Sequence, residues 1–128
     1  MQIGDLSTRS GVKIETIRYY ESVGLLPRPD RLASGRRVYG EEDVRRLRFV
    51  RHARDMGFDL PSVRVLLSLK ERPDESCGEA IRIAQAQLDV VEERMSRLAD
   101  LRADLKRMIA ECDGRQVSDC RIIETIAG

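Results

Sequence analysis

The sequence lacks the features that mark exported and membrane proteins. No apolar run approaches the ~20 residues that a bilayer-spanning helix needs. Met1 is followed by "QIGDLSTRSG" rather than by a basic stretch and then an apolar one. We therefore expect a cytoplasmic protein with no membrane segment.

Cysteine and histidine are also scarce, with three Cys and one His in the chain. An odd number of cysteines without a secretion signal argues against a structural disulfide framework, because a reducing compartment keeps thiols free. Three alternative roles remain for the thiols: they are buried and inert, they carry out redox chemistry, or they bind a metal.

Net charge is low as well, but it hides an asymmetry. The 128 residues, 41% of them apolar, suit one compact domain or a small domain plus an extended element. Residues 1–54 hold 12 Lys or Arg against 7 Asp or Glu, whereas residues 55–128 hold 11 against 15. A basic amino-terminal part is what the neutralisation of nucleic-acid phosphates requires.

Two short helices joined by a glycine turn are predicted near the amino terminus. The stretch "IGDLSTRSGVKIETIRYYESVGLL" indicates a helix, a break at Gly11 and a second helix that ends near Gly24. A shared apolar face is available from Leu6, Val12, Ile17 and Tyr20. This arrangement is the helix-turn-helix pattern, whose second helix enters the major groove of DNA.

The segment "RPDRLASGRRVYG" predicts a hairpin wing with arginine at its tip and flanks. Ser34 and Gly35 form the turn between strand-like residues 31–32 and 36–39. A helix in the major groove beside a basic hairpin on the phosphate backbone would provide both readout and positioning.

Two further helices complete the predicted domain. The first, "EEDVRRLRFVRHARDMG", is stopped by Gly57. Its apolar side carries Val44, Leu47, Val50 and Ala53. The second, "LPSVRVLLSLK", is expected to take Asp59 as its N-cap and to tolerate Pro61 in its first turn.

The longest periodic stretch follows Ser76 and Glu79, which form an S-x-x-E capping box and predict a helix from Cys77. Apolar residues then recur at spacings of three and four over about four heptads, which argues for a coiled coil. The seam contains Ile81, Ala84, Leu88, Val91, Met95, Leu98, Leu105 and Ile109, with Arg102 interrupting it. Because the chain offers little other apolar surface, the simplest partner of this helix is its copy in a second subunit.

Helix geometry separates the cysteines within one chain. The 35 residues between Cys77 and Cys112 span roughly 50 Å at ~1.5 Å per residue, so these two thiols cannot share a ligand in one subunit. In an antiparallel dimer the start of each helix lies beside the end of its partner, whereas a parallel dimer brings like ends together. An antiparallel homodimer therefore predicts two three-thiolate sites, each with Cys77 from one subunit and Cys112 and Cys120 from the other.

The loop "ECDGRQVSDC" carries two of the three thiols, eight positions apart. Cys120 opens a short predicted helix, "CRIIETIAG", where the helix dipole favours a thiolate and a lower pKa. Cys112 and Cys120 alone would suit a Cu(I), Ag(I) or Au(I) sensor. A disulfide between them, which needs Cα atoms within ~7 Å, would instead make a redox sensor.

These stretches resemble the MerR family of bacterial transcription regulators over essentially the whole chain. The resemblance is carried by "TIRYYE" with the R-x-Y wing, by "GRRVYGEEDVRRLRFVRHARDMGFDLPSVRVLL", and by the long helix that ends in a cysteine loop. The sequence "ESCGE" around Cys77 is similar to that of the cadmium, lead and mercury sensors of the family, whereas its copper sensors carry Ser at the matching position.

Coordination chemistry agrees with that branch. A third thiolate adds charge and a trigonal or tetrahedral shell, so Cys77 favours Hg(II), Cd(II), Pb(II) or Zn(II). Zinc ranks after the others because it usually takes four ligands and the only His, His52, lies in the DNA-binding half. A further oxygen ligand could come from Asp113, Asp119 or Glu111.

The resemblance implies a switch rather than an enzyme, and no His lies near any cysteine in sequence to support thiol catalysis. Dimers of this family bind a promoter with an overlong spacer, and the metal-bound form untwists the DNA so that RNA polymerase can engage. By residue match, the resemblance assigns DNA contacts to Thr16, Arg18 and Tyr20 on the second helix and to Arg31, Arg36, Arg37 and Tyr39 on the wing.

The predicted fold is mostly α and has three parts. Residues 1–75 form a winged helix-turn-helix DNA-binding domain with connecting helices. Residues 76–111 form an antiparallel coiled-coil dimerisation helix, and residues 112–128 form a metal-binding loop with a short helix.

Overall fold

The computed structural model describes residues 1–28, 38–112, 114 and 116–128. Within these residues the chain is helical and contains no strand. The helices are α1 (Ile3–Ser10), α2 (Ile14–Ser22), α3 (Glu41–Asp55), α4 (Leu60–Lys70), α5 (Gly78–Glu111) and α6 (Arg121–Ala127), with a 3₁₀ turn at Val117–Asp119. The predicted mostly α fold, with a helix-turn-helix and a long carboxyl-terminal helix, is confirmed. Of the residues predicted to form the two strands and the turn of the wing, only Val38 and Tyr39 lie among the described residues.

Helices α1 and α2 form the helix-turn-helix. Gly11 ends α1 with a φ of 75°, in the left-handed region that favours glycine, and its N–H donates to the Ser7 carbonyl at 2.9 Å. The predicted shared face is confirmed, because its members are all buried: Leu6, Val12, Ile17 and Tyr20. The apolar spacing therefore fixes which side of α2 packs inward and which side remains available.

A Schellman motif closes the carboxyl end of α2. Gly24 has a φ of 80°. The Leu25 N–H donates back to the Tyr20 carbonyl at 2.9 Å, and the Gly24 N–H donates to the Glu21 carbonyl at 3.2 Å. Leu25 is buried in the same core as Tyr20, which is the apolar contact that usually accompanies this motif.

Helices α3 and α4 supply the rest of the amino-terminal core. The four predicted apolar positions of α3 are buried: Val44, Leu47, Val50 and Ala53. Gly57, with a φ of 89°, lies just after α3 as predicted. Asp59 caps α4 by accepting a 2.8 Å hydrogen bond from the Ser62 N–H, and Pro61 lies in the first turn of that helix.

The chain forms two compact units, Met1–Ile83 and Ala84–Gly128. The long helix α5 begins at Gly78, one residue later than predicted, because Cys77 occupies the N-cap position and its carbonyl accepts from the Ile81 N–H at 3.0 Å. Ser76 does provide a capping oxygen, but its Oγ accepts from the Gly78 N–H at 3.1 Å. The predicted limits of three domains stay predictions.

Helix α5 exposes its apolar seam in the single chain. None of its 34 residues is buried. The exposed apolar residues include Ile81, Leu88, Val91, Met95, Leu98, Leu105 and Ile109, which are the predicted seam positions. Among the described residues, no helix has both the length and the apolar character that a bilayer span requires.

Candidate functional site

The outward side of α2 carries the first group of candidate residues. Arg18 is exposed and Thr16 is half-buried, whereas Ile17 between them is fully buried. Tyr19, which the sequence argument did not assign, is 50% exposed on the same helix. The helical period therefore turns Arg18 and Tyr19 to the surface while Ile17 and Tyr20 anchor the helix from behind.

Arg18 also lines a groove of about 690 Å³. Its lining consists of Gln2, Ile3, Arg18, Glu21, Ser22, Arg28 and Tyr39. Arg28 adds a second guanidinium to this groove, and sequence reasoning missed it although it lies in the basic stretch that follows α2. Two arginines on one concave surface suit a polyanion such as the DNA backbone.

Tyr20 and Tyr39 lie mostly inside the core of the single chain, and the DNA contact assigned to them stays a prediction. In this structure their side chains are only 8% and 2% exposed. The Tyr39 hydroxyl donates to Oε1 of Glu21 at 2.7 Å, and its backbone N–H donates to the Met1 carbonyl at 2.8 Å. Both rings therefore belong to the core behind the surface of α2, and they offer little area to a partner.

The arginines of the predicted wing, Arg31, Arg36 and Arg37, lie outside the described residues. The same holds for Asp113, one of the candidate oxygen ligands. Their assigned roles stay predictions.

One surface ion pair and hydrogen bonds from Arg48 link α1 to α3. Arg9 and Glu41 form a two-pronged ion pair, with Nη2 of Arg9 at 2.7 Å from Oε2 of Glu41. The hydrogen bond from Arg9 lowers the pKa of Glu41, and the same contact raises the pKa of Arg9. Arg48 of α3 also donates to the Arg9 carbonyl, at 3.0 and 3.3 Å. These contacts fix the first helix of the helix-turn-helix on its scaffold.

The structure brings Cys112 and Cys120 together. Their Sγ atoms lie 3.8 Å apart, both thiols are free, and both residues are half-buried. Cys112 directly follows α5, and Cys120 is the N-cap of α6. The predicted lowering of the pKa of Cys120 is confirmed, chiefly through a hydrogen bond from the Ile123 N–H, with smaller contributions from Cys112 and the Ile122 N–H.

The 3.8 Å separation can be compared with the geometry of metal thiolates. Two sulfurs bound at ~2.3 Å to one ion lie roughly 3.8 Å apart at a tetrahedral angle and about 4.0 Å apart at a trigonal angle. A linear arrangement with bonds of that length needs about 4.6 Å. The observed Sγ–Sγ distance of 3.8 Å is thus close to that expected for bent coordination at this bond length.

The other candidate ligands are exposed and dispersed. Cys77 is exposed at the start of α5. Glu111 and Asp119 are also exposed, and they directly precede Cys112 and Cys120 in sequence. His52 lies exposed on α3. In the part of one chain that the structure describes, no three His, Cys, Asp or Glu residues come together as a metal site. The described part of the chain therefore presents the Cys112 and Cys120 thiols as a pair.

Comparison with known proteins gives the family. Residues 1–70 match the family described as MerR HTH family regulatory protein, and residues 44–108 match the one described as MerR, DNA binding. The HTH-type transcriptional regulator HmrR of Rhizobium leguminosarum bv. viciae is 39% identical over 127 residues, covering 99% of this chain and 98% of that protein.

Two further relatives have names that mention metals. The mercuric resistance operon regulatory protein of Serratia marcescens is 38% identical over 129 residues, covering 100% of this chain and 88% of that protein. The crystal structure of the transcription regulator PbrR691 from Ralstonia metallidurans CH34 in complex with lead(II) superposes with a TM-score of 0.84 at 35% identity, covering 98% of both chains. The chain therefore belongs to the MerR family, whose members are DNA-binding transcription regulators and not enzymes.

Proposed function

We propose that this chain is a metal-responsive transcription regulator of the cytoplasm. It would bind a soft divalent ion, Hg(II), Cd(II), Pb(II) or Zn(II), and activate a metal-resistance or metal-homeostasis promoter. The observation that carries the proposal is the pair of free thiols, Cys112 and Cys120, with 3.8 Å between their sulfurs. Relatives named for mercury and crystallised with lead support the same class of ligand.

The ligand set we propose is Cys112 and Cys120 of one subunit with Cys77 of its partner. Bent coordination by the pair leaves room for a third thiolate, and three thiolates suit soft divalent ions. Asp119, Glu111 and Asp113 are candidate sources of a fourth, oxygen ligand. Their hard carboxylates would matter most for zinc, which prefers four ligands.

A homodimer is required to complete this site. The seam of α5 leaves large apolar side chains such as Met95 and Leu98 63% exposed, and a second copy of the helix is the simplest cover for them. Antiparallel pairing would bring the amino end of one helix, with Cys77, to the carboxyl end of the other.

Promoter DNA is the proposed partner of the amino-terminal unit, with Thr16 and Arg18 of α2 and Arg31, Arg36 and Arg37 of the wing in contact. The ion would favour one of two dimer shapes, and so change the relation between the two DNA-binding units. The promoter spacer would then be deformed at base pairs that the protein need not touch. This deformation would let RNA polymerase engage the promoter.

A metal titration of the reduced dimer tests the three-thiolate site. Thiolate-to-metal absorption should saturate at two ions per dimer, and Cys77→Ser should weaken binding by more than roughly 100-fold, since changes outside the ligand shell already cost up to about that much. Ser118→Ala, a substitution in the loop between Cys112 and Cys120 that removes no thiol, should bind the ion as the wild-type protein does. Unchanged affinity after Cys77→Ser would refute the three-thiolate site.

A second candidate function rests on the same sulfur pair. Oxidation of Cys112 and Cys120 by hydrogen peroxide would give a disulfide and two waters, and would leave Cys77 without a role. A promoter reporter separates the possibilities. A response to divalent ions under reducing conditions supports the proposal, a response to Cu(I) that survives Cys77→Ser supports a two-thiolate sensor of monovalent ions, and a response to oxidants alone supports the redox sensor.

A further inference from the structure

Helix α2 ends without a basic residue of its own. Its last turn contains no Lys, Arg or His, although the carbonyls at the end of a helix carry partial negative charge that cations stabilise. The Schellman motif satisfies two of these carbonyls, those of Tyr20 and Glu21, through backbone N–H groups. Two of the carbonyls that follow, those of Val23 and Leu25, accept bonds from arginines of other helices.

Arg64 and Arg46 supply those bonds. Nη2 of Arg64, on α4, donates to the Val23 carbonyl at 2.5 Å. Nε of Arg46, on α3, donates to the Leu25 carbonyl at 2.6 Å. Two guanidinium groups from two different helices therefore hold the three-residue turn in which α2 ends.

Arg46 has a second contact that extends toward α5. Its Nη1 lies 2.9 Å from Oε1 of Glu71, the residue that caps the carboxyl end of α4. Glu71 opens the short connection between α4 and α5. One side chain thus joins the end of α2 to the point where the chain leaves the DNA-binding helices.

Helix α3 provides an internal comparison. It also ends in a Schellman motif, with Phe58 N–H donating to the Ala53 carbonyl at 3.2 Å. The carbonyl of Phe58, equivalent to that of Leu25 in α2, accepts a 2.7 Å bond from Arg54 of α3 itself. The same kind of helix end is therefore closed locally in α3 and by neighbouring helices in α2.

We propose that Arg46 and Arg64 are positioning residues that fix the orientation of α2 against α3 and α4, with Glu71 tying Arg46 to the carboxyl end of α4. The inference rests on the proposed function, because α2 matters as the helix that reads DNA. The arginines would act through the backbone of α2 and not through contact with DNA.

Matched substitutions test this inference. Arg64→Gln removes a guanidinium bond to the end of α2, whereas Arg54→Gln removes an equivalent bond to the end of α3. The probe is a duplex selected by the wild-type protein from a random pool, compared with a random duplex of equal length. We expect Arg64→Gln to weaken binding to the selected duplex by roughly three- to tenfold, in line with the typical net contribution of one hydrogen bond. Arg54→Gln should change it less than about twofold.

The random duplex distinguishes positioning from direct phosphate contact. Loss of a phosphate contact weakens binding to every sequence, whereas a misplaced α2 weakens binding to the selected duplex alone. Arg64→Lys, which can still donate to the Val23 carbonyl, should recover part of the selected affinity. Equal weakening on both duplexes, or equal losses for Arg64→Gln and Arg54→Gln, would overturn the inference.

Amide hydrogen exchange gives a readout that does not depend on DNA. Exchange of Leu25 and Leu26, whose N–H groups both donate to the Tyr20 carbonyl, should accelerate in Arg64→Gln and stay unchanged in Arg54→Gln. Unchanged exchange in Arg64→Gln would refute the proposed role. Failure of the wild-type chain to select any duplex would instead count against the proposed function, while the exchange measurement would still decide the role of Arg64.

Discussion

Asp59 shows how one side chain sets a helix boundary. Its carboxylate accepts the Ser62 N–H at 2.8 Å and so satisfies one of the unpaired donors at the start of α4. Hydrogen bonds from the Ser62 side chain and then from its backbone lower the pKa of Asp59. The folded state therefore stabilises the ionised carboxylate of Asp59 more than the unfolded state does.

The lowered pKa of Asp59 fixes the sign of a pH effect. Its contribution to the free energy of unfolding should be complete above the unfolded pKa of ~3.9 and should be lost as pH falls through the lower folded value. Asp59→Ala should lower the melting temperature at neutral pH, by an amount that shrinks below pH ~4. Asp59→Asn, which keeps a capping oxygen, should retain most of the stability and lose this pH dependence. A stability difference between wild type and Asp59→Ala that does not vary with pH would contradict the assignment.

Residues whose role follows from local spacing were predicted well, whereas those whose role depends on a distant partner were not. Leu6, Ile17, Val44 and Leu47 were predicted in the core from periodicity, and all are buried. Tyr39 was assigned to the DNA surface by its match to the wing of the family. It is buried and donates a hydrogen bond to Glu21, 18 residues away, a contact that no local pattern reveals.

Helix α5 is the element in which sequence and structure agree most closely. Its length follows from a repeat of three and four apolar residues. The large apolar residues that the single chain exposes on α5 include the predicted seam, together with Val90 and Leu101, which lie outside it. The proximity of Cys112 and Cys120 was less predictable, because it depends on the conformation of the loop between α5 and α6.

Substitution within the seam should separate the dimer interface from the rest of the helix. Leu98 is 63% exposed in the single chain and lies in the middle of the seam. Leu98→Asp would place a carboxylate against apolar side chains of the partner, and we expect at least roughly a tenfold weaker dimer, since leaving such a charge unpaired costs several kcal/mol. Sedimentation velocity across a concentration series measures the change.

Ser96→Asp is the matched control, because it adds the same carboxylate two positions away, outside the seam. It should leave the dimer intact. Equal weakening by the two substitutions would indicate a general effect on the helix, and an unchanged dimer with Leu98→Asp would exclude this face as the interface.

At the scale of the whole molecule, the proposal requires that neither subunit alone holds a complete metal site. The described residues of one chain bring two thiols together and leave Cys77 at the opposite end of α5. A shared site has a consequence that a site within one chain lacks: two defective chains can complement each other.

Mixed dimers provide that test. One chain carries Cys77→Ser and the other carries Cys112→Ser with Cys120→Ser, so each homodimer lacks a complete site. In the heterodimer, Cys77 of the second chain meets Cys112 and Cys120 of the first, which restores one three-thiolate site. The two chains carry different tags, so that heterodimers can be purified. In a metal titration the heterodimer should bind one ion with wild-type affinity, while both homodimers fail to bind tightly. If all three thiolates came from one subunit, the heterodimer would bind no better than its parents, because each chain would still lack a ligand.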